Sequence, residues 1–281
     1  MSKITPELIA SLSYTDFVAL LQEENRPSGG KKSVREIINN SFITPKSRVL
    51  EVGCTNGFTS LEVSRTVGCE VIGIDIAEES IKLASLRATG MPNISFRCAS
   101  AYDIPFDNNY FDLVIAGNAT SFMADKNAAL KEYLRVVKNF GFIATVPIWY
   151  PKPPSKEIIN EVSKEINVQI TPMSRADWLS LFASHSLEVY SVSDYYFDHK
   201  NSGQIEEYAR LMLDKPHLRL LSKESRLVAE QRWIKTVSVF NKNLALAAYS
   251  VVLLRKRDEP EELEFFTSRS ASHSDYGAPH D

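Results

Sequence analysis

Val49-Leu50-Glu51-Val52-Gly53-Cys54-Thr55-Asn56-Gly57, followed 18 residues later by Asp75, is the stretch on which the fold turns. Arg48 to Val52 is an apolar run that predicts a buried strand, broken at Gly53. It feeds the amphipathic segment Phe58-Thr59-Ser60-Leu61-Glu62-Val63-Ser64, and Val71-Ile72-Gly73-Ile74-Asp75-Ile76 predicts a second buried strand ending in an acid. Strand, glycine turn, helix and acid-tipped strand form the unit that lays a nucleoside across the end of a parallel sheet. A carboxylate at Asp75 can accept from both ribose hydroxyls.

Glu51 narrows the choice of nucleoside. A dinucleotide site needs Gly-x-Gly-x-x-Gly so that bare amides and a helix N-terminus hold a pyrophosphate. Counted from Gly53, the later glycine positions carry Thr55 and Phe58, and Glu51 adds a negative charge where the pyrophosphate would lie. A ligand with an ammonium and a sulfonium group would find that carboxylate favourable. A nucleotide-dependent oxidoreductase is disfavoured on these grounds.

Glu-x-Gly-x-x-x-Gly with Asp75 downstream resembles motif I and the following acidic motif of the class I S-adenosylmethionine-dependent methyltransferases, with Thr55 at the usual middle glycine. Asn93 to Phe106 resembles that family's third strand and adenine-contacting turn, where Ala99-Ser100-Ala101 replaces the customary Gly-Asp-Ala. Phe111 to Ala116 is similar to its fourth strand, with Gly117-Asn118-Ala119-Thr120 at the ligand end. The likeness covers about residues 45–150 and the final strands. It implies S-adenosylmethionine as cofactor, held by Glu51, Gly53, Cys54, Thr55, Gly57, Asp75, Ile76, Ser100, Ala101, Tyr102 and Asn118.

The periodicity agrees. Thr5-Pro6 suits an N-cap and first helical residue for one or two helices over 5–24. Val34, Ile37, Ile38 and Phe42 form a stripe leading into the first strand. Leu61, Ser64 and Val67 precede Gly68; Ile81, Ala84 and Ala88 precede Gly90; Leu130, Tyr133, Leu134 and Val137 precede Gly141. A fifth strand is predicted at Phe142–Val146 and late strands at Leu187–Phe197 and Leu246–Leu254. The fold class is α/β: a Rossmann-like, doubly wound sheet, seven-stranded by the resemblance, with helical additions.

Those additions are a helical lid (1–44), insertions at 150–185 and 198–243 within a domain spanning 45–257, and an acidic tail (258–281) read as disordered. A connection of about 45 residues between two strands rarely lacks structure or use, so 198–243 reads as a helical cap or a dimer arm. Tyr14 and Arg26 are candidates for the carboxylate at the cofactor's methionine end. Trp149 and Tyr150, just past the fifth strand, and Tyr196 are candidates for the acceptor pocket. If the acceptor needs a base, His185, His199, Tyr195 or Tyr196 would supply it.

At 281 residues, 44% hydrophobic and 24% charged, the chain can bury one large core and a smaller appendage. The longest apolar stretch, Leu244–Leu254, is too short to span a bilayer. Cys54, Cys69 and Cys98 lack metal-ligand spacing and suit reduced thiols in a cytoplasmic protein. The net charge is −3, and residues 258–281 hold seven of the 35 acids but one of the 32 bases. The body is therefore close to neutral, without a basic face for nucleic acid.

The expectation is a methyltransferase, monomeric or homodimeric, of the quinone-biosynthesis or secondary-metabolite type. It would move a methyl group to an O, N or C nucleophile of a small, partly apolar metabolite. The alternatives are a peptide or natural-product-tailoring methyltransferase and a non-catalytic scaffold that keeps the cofactor site. The fourth-strand end lacks the Asn/Asp-Pro-Pro-Tyr that resembles exocyclic-amine and protein-amide methylation, and no metal is expected.

Overall fold

A computed structural model describes residues 4–24, 27–185 and 187–257. Thr5 caps the first helix through a bond from the Leu8 amide, and Pro6 occupies its first turn. Helices α1 (Pro6–Ser11), α2 (Tyr14–Leu21) and α3 (Lys31–Asn40) precede the first strand. Val34 and Ile37 of α3 are buried as the stripe requires, but the helix ends before Phe42, which has φ +54° and is 68% exposed.

The nucleoside-binding unit follows: β1 (Arg48–Val52), α4 (Phe58–Val67), β2 (Glu70–Asp75), α5 (Glu78–Arg87) and β3 (Ile94–Cys98). Gly68 stops α4 with φ +78°, a left-handed conformation that glycine enters without a Cβ penalty. Then come β4 (Phe111–Gly117), a 3₁₀ turn (Ala119–Phe122), α6 (Lys126–Val136), β5 (Val137–Thr145) and β6 (Ile148–Trp149). The chain continues through α7 (Lys156–Ile166), α8 (Arg175–Ala183), β7 (Leu187–Tyr196), α9 (Ser202–Leu213), α10 (Lys223–Leu244) and β8 (Ala248–Lys256).

The sheet runs β3-β2-β1-β4-β5-β8, with β7 on the far edge of β8. Strands β1 to β5 pair in parallel and β8 runs antiparallel to β5 and β7. Among the described residues eight strands form where seven were expected, because β6 is a two-residue segment that resumes pairing with β8 beyond Pro147. β5 and β6 therefore share one lane, and the sheet is seven lanes wide.

β5 also begins five residues before the expected Phe142. The register jumps from Phe111↔Val137 to Leu113↔Phe142, so residues 138–141 loop out of the ladder with Phe140 at φ +61°. A Cβ on Gly141 would lie 2.9 Å from the Asp112 and Lys138 carbonyl oxygens. This glycine marks a bulge rather than the end of α6.

Two apolar layers flank the sheet, one centred on Leu50, Ile74, Val114 and Tyr133, the other on Val34, Val49, Leu113 and Leu253. A third cluster stands apart from them, built by Ile9, Phe17 and Leu21 of the N-terminal helices with Ala209, Met212 and Trp233 of α9 and α10. Arg232 of α10 donates to the Ile9 and Leu12 carbonyls and lies over the Phe17 ring. Lys215 donates to the carbonyls of Leu21 and Gln22, at 3.0 and 2.6 Å. A cation at a helix C-terminus contributes roughly 0.3–1 kcal/mol. Residues 4–24 and helices α9 and α10 thus fold as one helical layer.

Candidate functional site

The turn after β1 is shaped by backbone amides. Gly53 and Cys54 donate to the Ile74 carbonyl at 2.8 and 3.0 Å, and Gly57 donates back to Cys54 at 2.8 Å. Gly53 sits at φ +70°, and a Cβ there would lie 2.7 Å from Ala119 Cβ. Gly57, at φ +76°, is pressed against the Phe96 ring. Thr55 is also left-handed, at φ +43°, a costly conformation for a β-branched residue. Asp75 holds it there, its Oδ2 accepting from the Thr55 amide at 3.0 Å while Oδ1 accepts from Ala77 at 2.9 Å. Each carboxylate oxygen keeps a lone pair for a further donor. The neighbouring Ile76 is 76% exposed at the tip of β2.

Glu51 lies one residue before the end of β1 and is 7% exposed. Its carboxylate turns to the N-terminus of α4, accepting from the Ser60 amide at 2.8 Å and from the Ser60 hydroxyl. The sequence suggested a direct partner for a ligand ammonium. The structure instead commits Glu51 to a helix N-terminus, where unpaired amides favour an anion, so its charge reaches the site through space. Burial pushes its pKa up to about 7, against the opposing pull of the Ser60 bonds and with a smaller contribution from Asp75.

A folded-state pKa above the unfolded value means that native protein retains a proton which unfolded protein releases. Stability therefore falls as pH rises from about 4.5 toward 7, by on the order of 3 kcal/mol in full. Glu51→Gln is expected to gain most of that relative to wild type between pH 5 and pH 8 in urea denaturation. An identical pH response in both proteins would show that Glu51 does not titrate in this range.

The remaining edges of the site are built by contacts distant in sequence. Ser100 Oγ accepts from the Tyr102 amide at 3.1 Å, shaping the turn after β3, and Tyr102 is 45% exposed with its hydroxyl accepting from the Asp125 amide. Asn118, at the end of β4, gives both ends of its amide to Ser28: Oδ1 accepts from the Ser28 amide at 3.2 Å, and Nδ2 donates to Ser28 Oγ at 2.9 Å. Asn56 donates to the Glu23 carbonyl at 2.6 Å. Arg87 of α5 bridges the Asn56 carbonyl (2.8 Å) and Glu24 (3.2 Å). The sequence assigned Ser28, Asn56 and Arg87 no individual role. Their only signal was polarity beside glycine turns.

Residues 50–145 match a methyltransferase domain family. An uncharacterised protein of Haemophilus influenzae is 30% identical over 172 residues, covering 59% of this chain and 68% of the relative. A demethylmenaquinone methyltransferase of Staphylococcus carnosus is 31% identical over 122 residues, covering 43% of this chain and 51% of the relative. The chain therefore spans about half the length of this last protein. The crystal structure of MccD protein superposes with a TM-score of 0.71 at 23% identity, over 83% of this chain and 100% of that one, a likeness of fold.

The chain belongs to the class I S-adenosylmethionine-dependent methyltransferases.

In this methyltransferase the residues at the ends of β1 and β2 fit the cofactor. Gly53 leaves bare backbone where a Cβ would intrude, Asp75 is fixed by two amides with lone pairs to spare, and Ile76 offers an uncovered apolar surface. The buried Cys54 thiol is raised well above its ordinary range, first by burial and then by Glu51 and Asp75, which suits a small filler rather than a nucleophile. Ala101 is partly buried against the apolar layer that contains Leu50 and Ile74.

The candidates for the methionine end and for the acceptor side are dispersed. Tyr14 is partly buried, its ring 5.7 Å from Phe240. Burial, with the Glu23 and Glu165 carboxylates, raises its phenol above the usual range and keeps it protonated. Trp149 and Tyr150 are packed rather than lining open space, with Trp149 Nε1 on Ser250 Oγ at 2.9 Å and Tyr150 Oη on Asn243 at 3.0 Å. Tyr196 is 75% exposed against the edge of Trp149. Tyr195 donates to Glu36 at 2.7 Å under Lys32, on the α3 face.

His185 pairs with Asn127 at 2.9 Å, and partial burial, then Lys131, lowers its pKa. His199 is exposed after β7. Among the described residues Tyr195 bonds to Glu36 and His185 to Asn127, and neither makes a hydrogen bond to the Gly53 turn. Arg26 and the tail 258–281 lie outside the described residues. Among those described, no cluster of acids, histidines or cysteines could hold a metal, and no helix is long and apolar enough to cross a membrane.

Proposed function

We propose that this chain transfers the methyl group of S-adenosylmethionine to an O, N or C nucleophile of a small, partly apolar metabolite by in-line displacement. The observation that carries the reading is the positive-φ turn at Gly53 set against the amide-anchored carboxylate of Asp75. The bound cofactor supplies a methyl group already activated by its sulfonium, so the protein's task is alignment and exclusion of water.

Asp75 would accept from the ribose hydroxyls, Ile76 and Tyr102 would flank the adenine, and Ser100 would accept from its amino group. Tyr14, held as a neutral phenol, would donate to the carboxylate of the methionine end. The helical layer of α1, α2, α9 and α10 would close the acceptor chamber. A small acceptor is favoured because Tyr150 is tied to Asn243 of α10 and Tyr14 packs on Phe240 of the same helix, drawing that layer close to the strand ends. A partly apolar one is consistent with the Staphylococcus carnosus relative, a demethylmenaquinone methyltransferase.

Calorimetric titration with S-adenosylmethionine, S-adenosylhomocysteine and NAD, followed by an assay for S-adenosylhomocysteine release, tests the proposal. The assay panel holds a demethylated naphthoquinol, a catechol, a cyclic tertiary amine and a short peptide. Micromolar binding of the first two ligands without NAD, and turnover on a small acceptor, is the expected result. Turnover on the peptide alone would replace the metabolite reading with peptide tailoring. Cofactor binding with no turnover on any acceptor would favour the scaffold.

A further inference from the structure

At the N-terminal ends of the parallel strands, opposite the Gly53 turn, a cleft of about 430 Å³ opens on the α3 face of the sheet. Its walls are Phe42, Phe140, Phe142, Tyr190, Lys138 and Arg255. Phe42, Phe142 and Tyr190 form a triangle of rings with centroids 5.1 to 6.1 Å apart. Only Phe142 of these four aromatics is buried; Phe42, Phe140 and Tyr190 are 68%, 47% and 39% exposed. Phe42 and Phe140 also hold left-handed backbone, at φ +54° and +61°. Strain at non-glycine residues persists where the surroundings over-determine it and often marks a contact surface. Exposed rings in a row are likewise the feature that marks interaction sites on soluble proteins.

Among the described residues lining the cleft, Lys138 is paired with Asp112, whereas Arg255, which faces Glu188 across the β7–β8 register, makes no hydrogen bond through its Nε. Asp112, its only lining acid, accepts from Lys138 at 2.7 Å and from the Arg48 amide at 2.7 Å. Arg255 lies over Phe140 and Phe142 at 5.3 and 5.7 Å, and its Nε is buried with no hydrogen-bond partner among the described residues. Such an atom asks for an acceptor, and the rings around it ask for apolar or aromatic surface.

The chain carries a segment of that composition in reach. Arg255 is next to the last residue of β8, and the sequence continues Asp258-Glu259-Pro260-Glu261-Glu262-Leu263-Glu264-Phe265-Phe266. Five of the first seven residues are acids, and two phenyl rings follow. Eight residues separate Arg257 from Phe265, a reach of up to roughly 27 Å when extended. A short tether gives its segment an effective concentration of about a millimolar, which a free partner seldom matches.

We propose that residues 258–266 dock in this cleft of their own chain. A carboxylate of Glu262 or Glu264 meets Arg255, and Phe265 and Phe266 cover the ring triangle, closing the end of the sheet core remote from the cofactor. This reading is independent of the methyl acceptor.

The test uses the full chain. Carbodiimide cross-linking is applied to an equal mixture of ¹⁵N-labelled and unlabelled protein, alongside amide hydrogen exchange of wild type, Phe265→Ser/Phe266→Ser and Arg255→Glu. Expected are zero-length cross-links from Lys138 to the acids of 258–264 within chains of one isotope. Exchange over residues 40–43 and 138–142 should run about tenfold slower in wild type than in either variant, the factor for a docked fraction near nine-tenths. S-adenosylmethionine affinity should not change in the tail variant. Cross-links of mixed isotope would assign the cleft to a second copy and overturn docking in cis. Equal exchange in wild type and the tail variant, with no cross-link, would overturn docking altogether.

Discussion

Gly53→Val is expected to lower S-adenosylmethionine affinity by about a hundredfold or more while leaving the fold in place. The added Cβ falls 2.7 Å from Ala119 Cβ, inside any normal carbon contact, and the backbone stands at φ +70°. Holding a β-branched residue there costs about 1–3 kcal/mol, and overpacking adds about 1–3 kcal/mol. The protein can relieve both by shifting the turn, at the price of the amide positions of Cys54 and Thr55 that the cofactor would meet. Ligand binding would then have to restore the strained turn, so the strain appears as lost affinity, tenfold for each 1.4 kcal/mol. Titration calorimetry reads the loss, and circular dichroism confirms the fold. Gly53→Ala, with the same Cβ but no branches, should fall between. A valine variant that binds like wild type would remove this turn from the cofactor site.

What the sequence disclosed was local. Gly53 and Asp75 belong to one strand-turn-helix-strand unit, and the roles proposed for them follow from spacing and from the few residues that tolerate a sharp turn. The alternation of strands and helices was equally readable, since each helix stripe and strand run signals itself within a short window. What stayed hidden depends on partners far along the chain. Ser28 and Asn118 are 90 residues apart, Tyr150 and Asn243 are 93, and Trp149 and Ser250 are 101. Aromatic residues after a strand look the same whether they line a pocket or pack beneath a helix, and burial by α10 and β8 decided for packing. Glu51 was misread in direction, because a carboxylate ahead of a glycine turn can face the ligand or the helix start. Ser60, nine residues on, claims it. Gly141 was misread for a related reason: a glycine ends helices and permits bulges alike, and the crowding by Asp112 and Lys138 distinguishes the two.

Asp75→Ala should weaken S-adenosylmethionine binding roughly ten- to hundredfold, as loss of charge-assisted hydrogen bonds worth about 1.5–3 kcal/mol requires. The structure adds a second effect. Asp75 also holds the amides of Thr55 and Ala77, so the alanine variant loses the anchor that keeps Thr55 at φ +43°. The unliganded variant should therefore be less stable, by about 1–3 kcal/mol for amides left without that acceptor. The two effects are separable. Adding Thr55→Gly to Asp75→Ala removes the conformational cost at position 55, because glycine enters the left-handed region freely. In urea denaturation the double variant is expected to recover the part of the stability that reflects strain at position 55, though not the part owed to the two amides left without an acceptor, and to recover no affinity. If affinity returned with stability, Asp75 would act only by shaping the turn, and the ribose hydroxyls would need another acceptor. If neither returned, strain at Thr55 would not be what the Asp75 carboxylate offsets, and its bond to Ala77 at the start of α5 would become the one that matters.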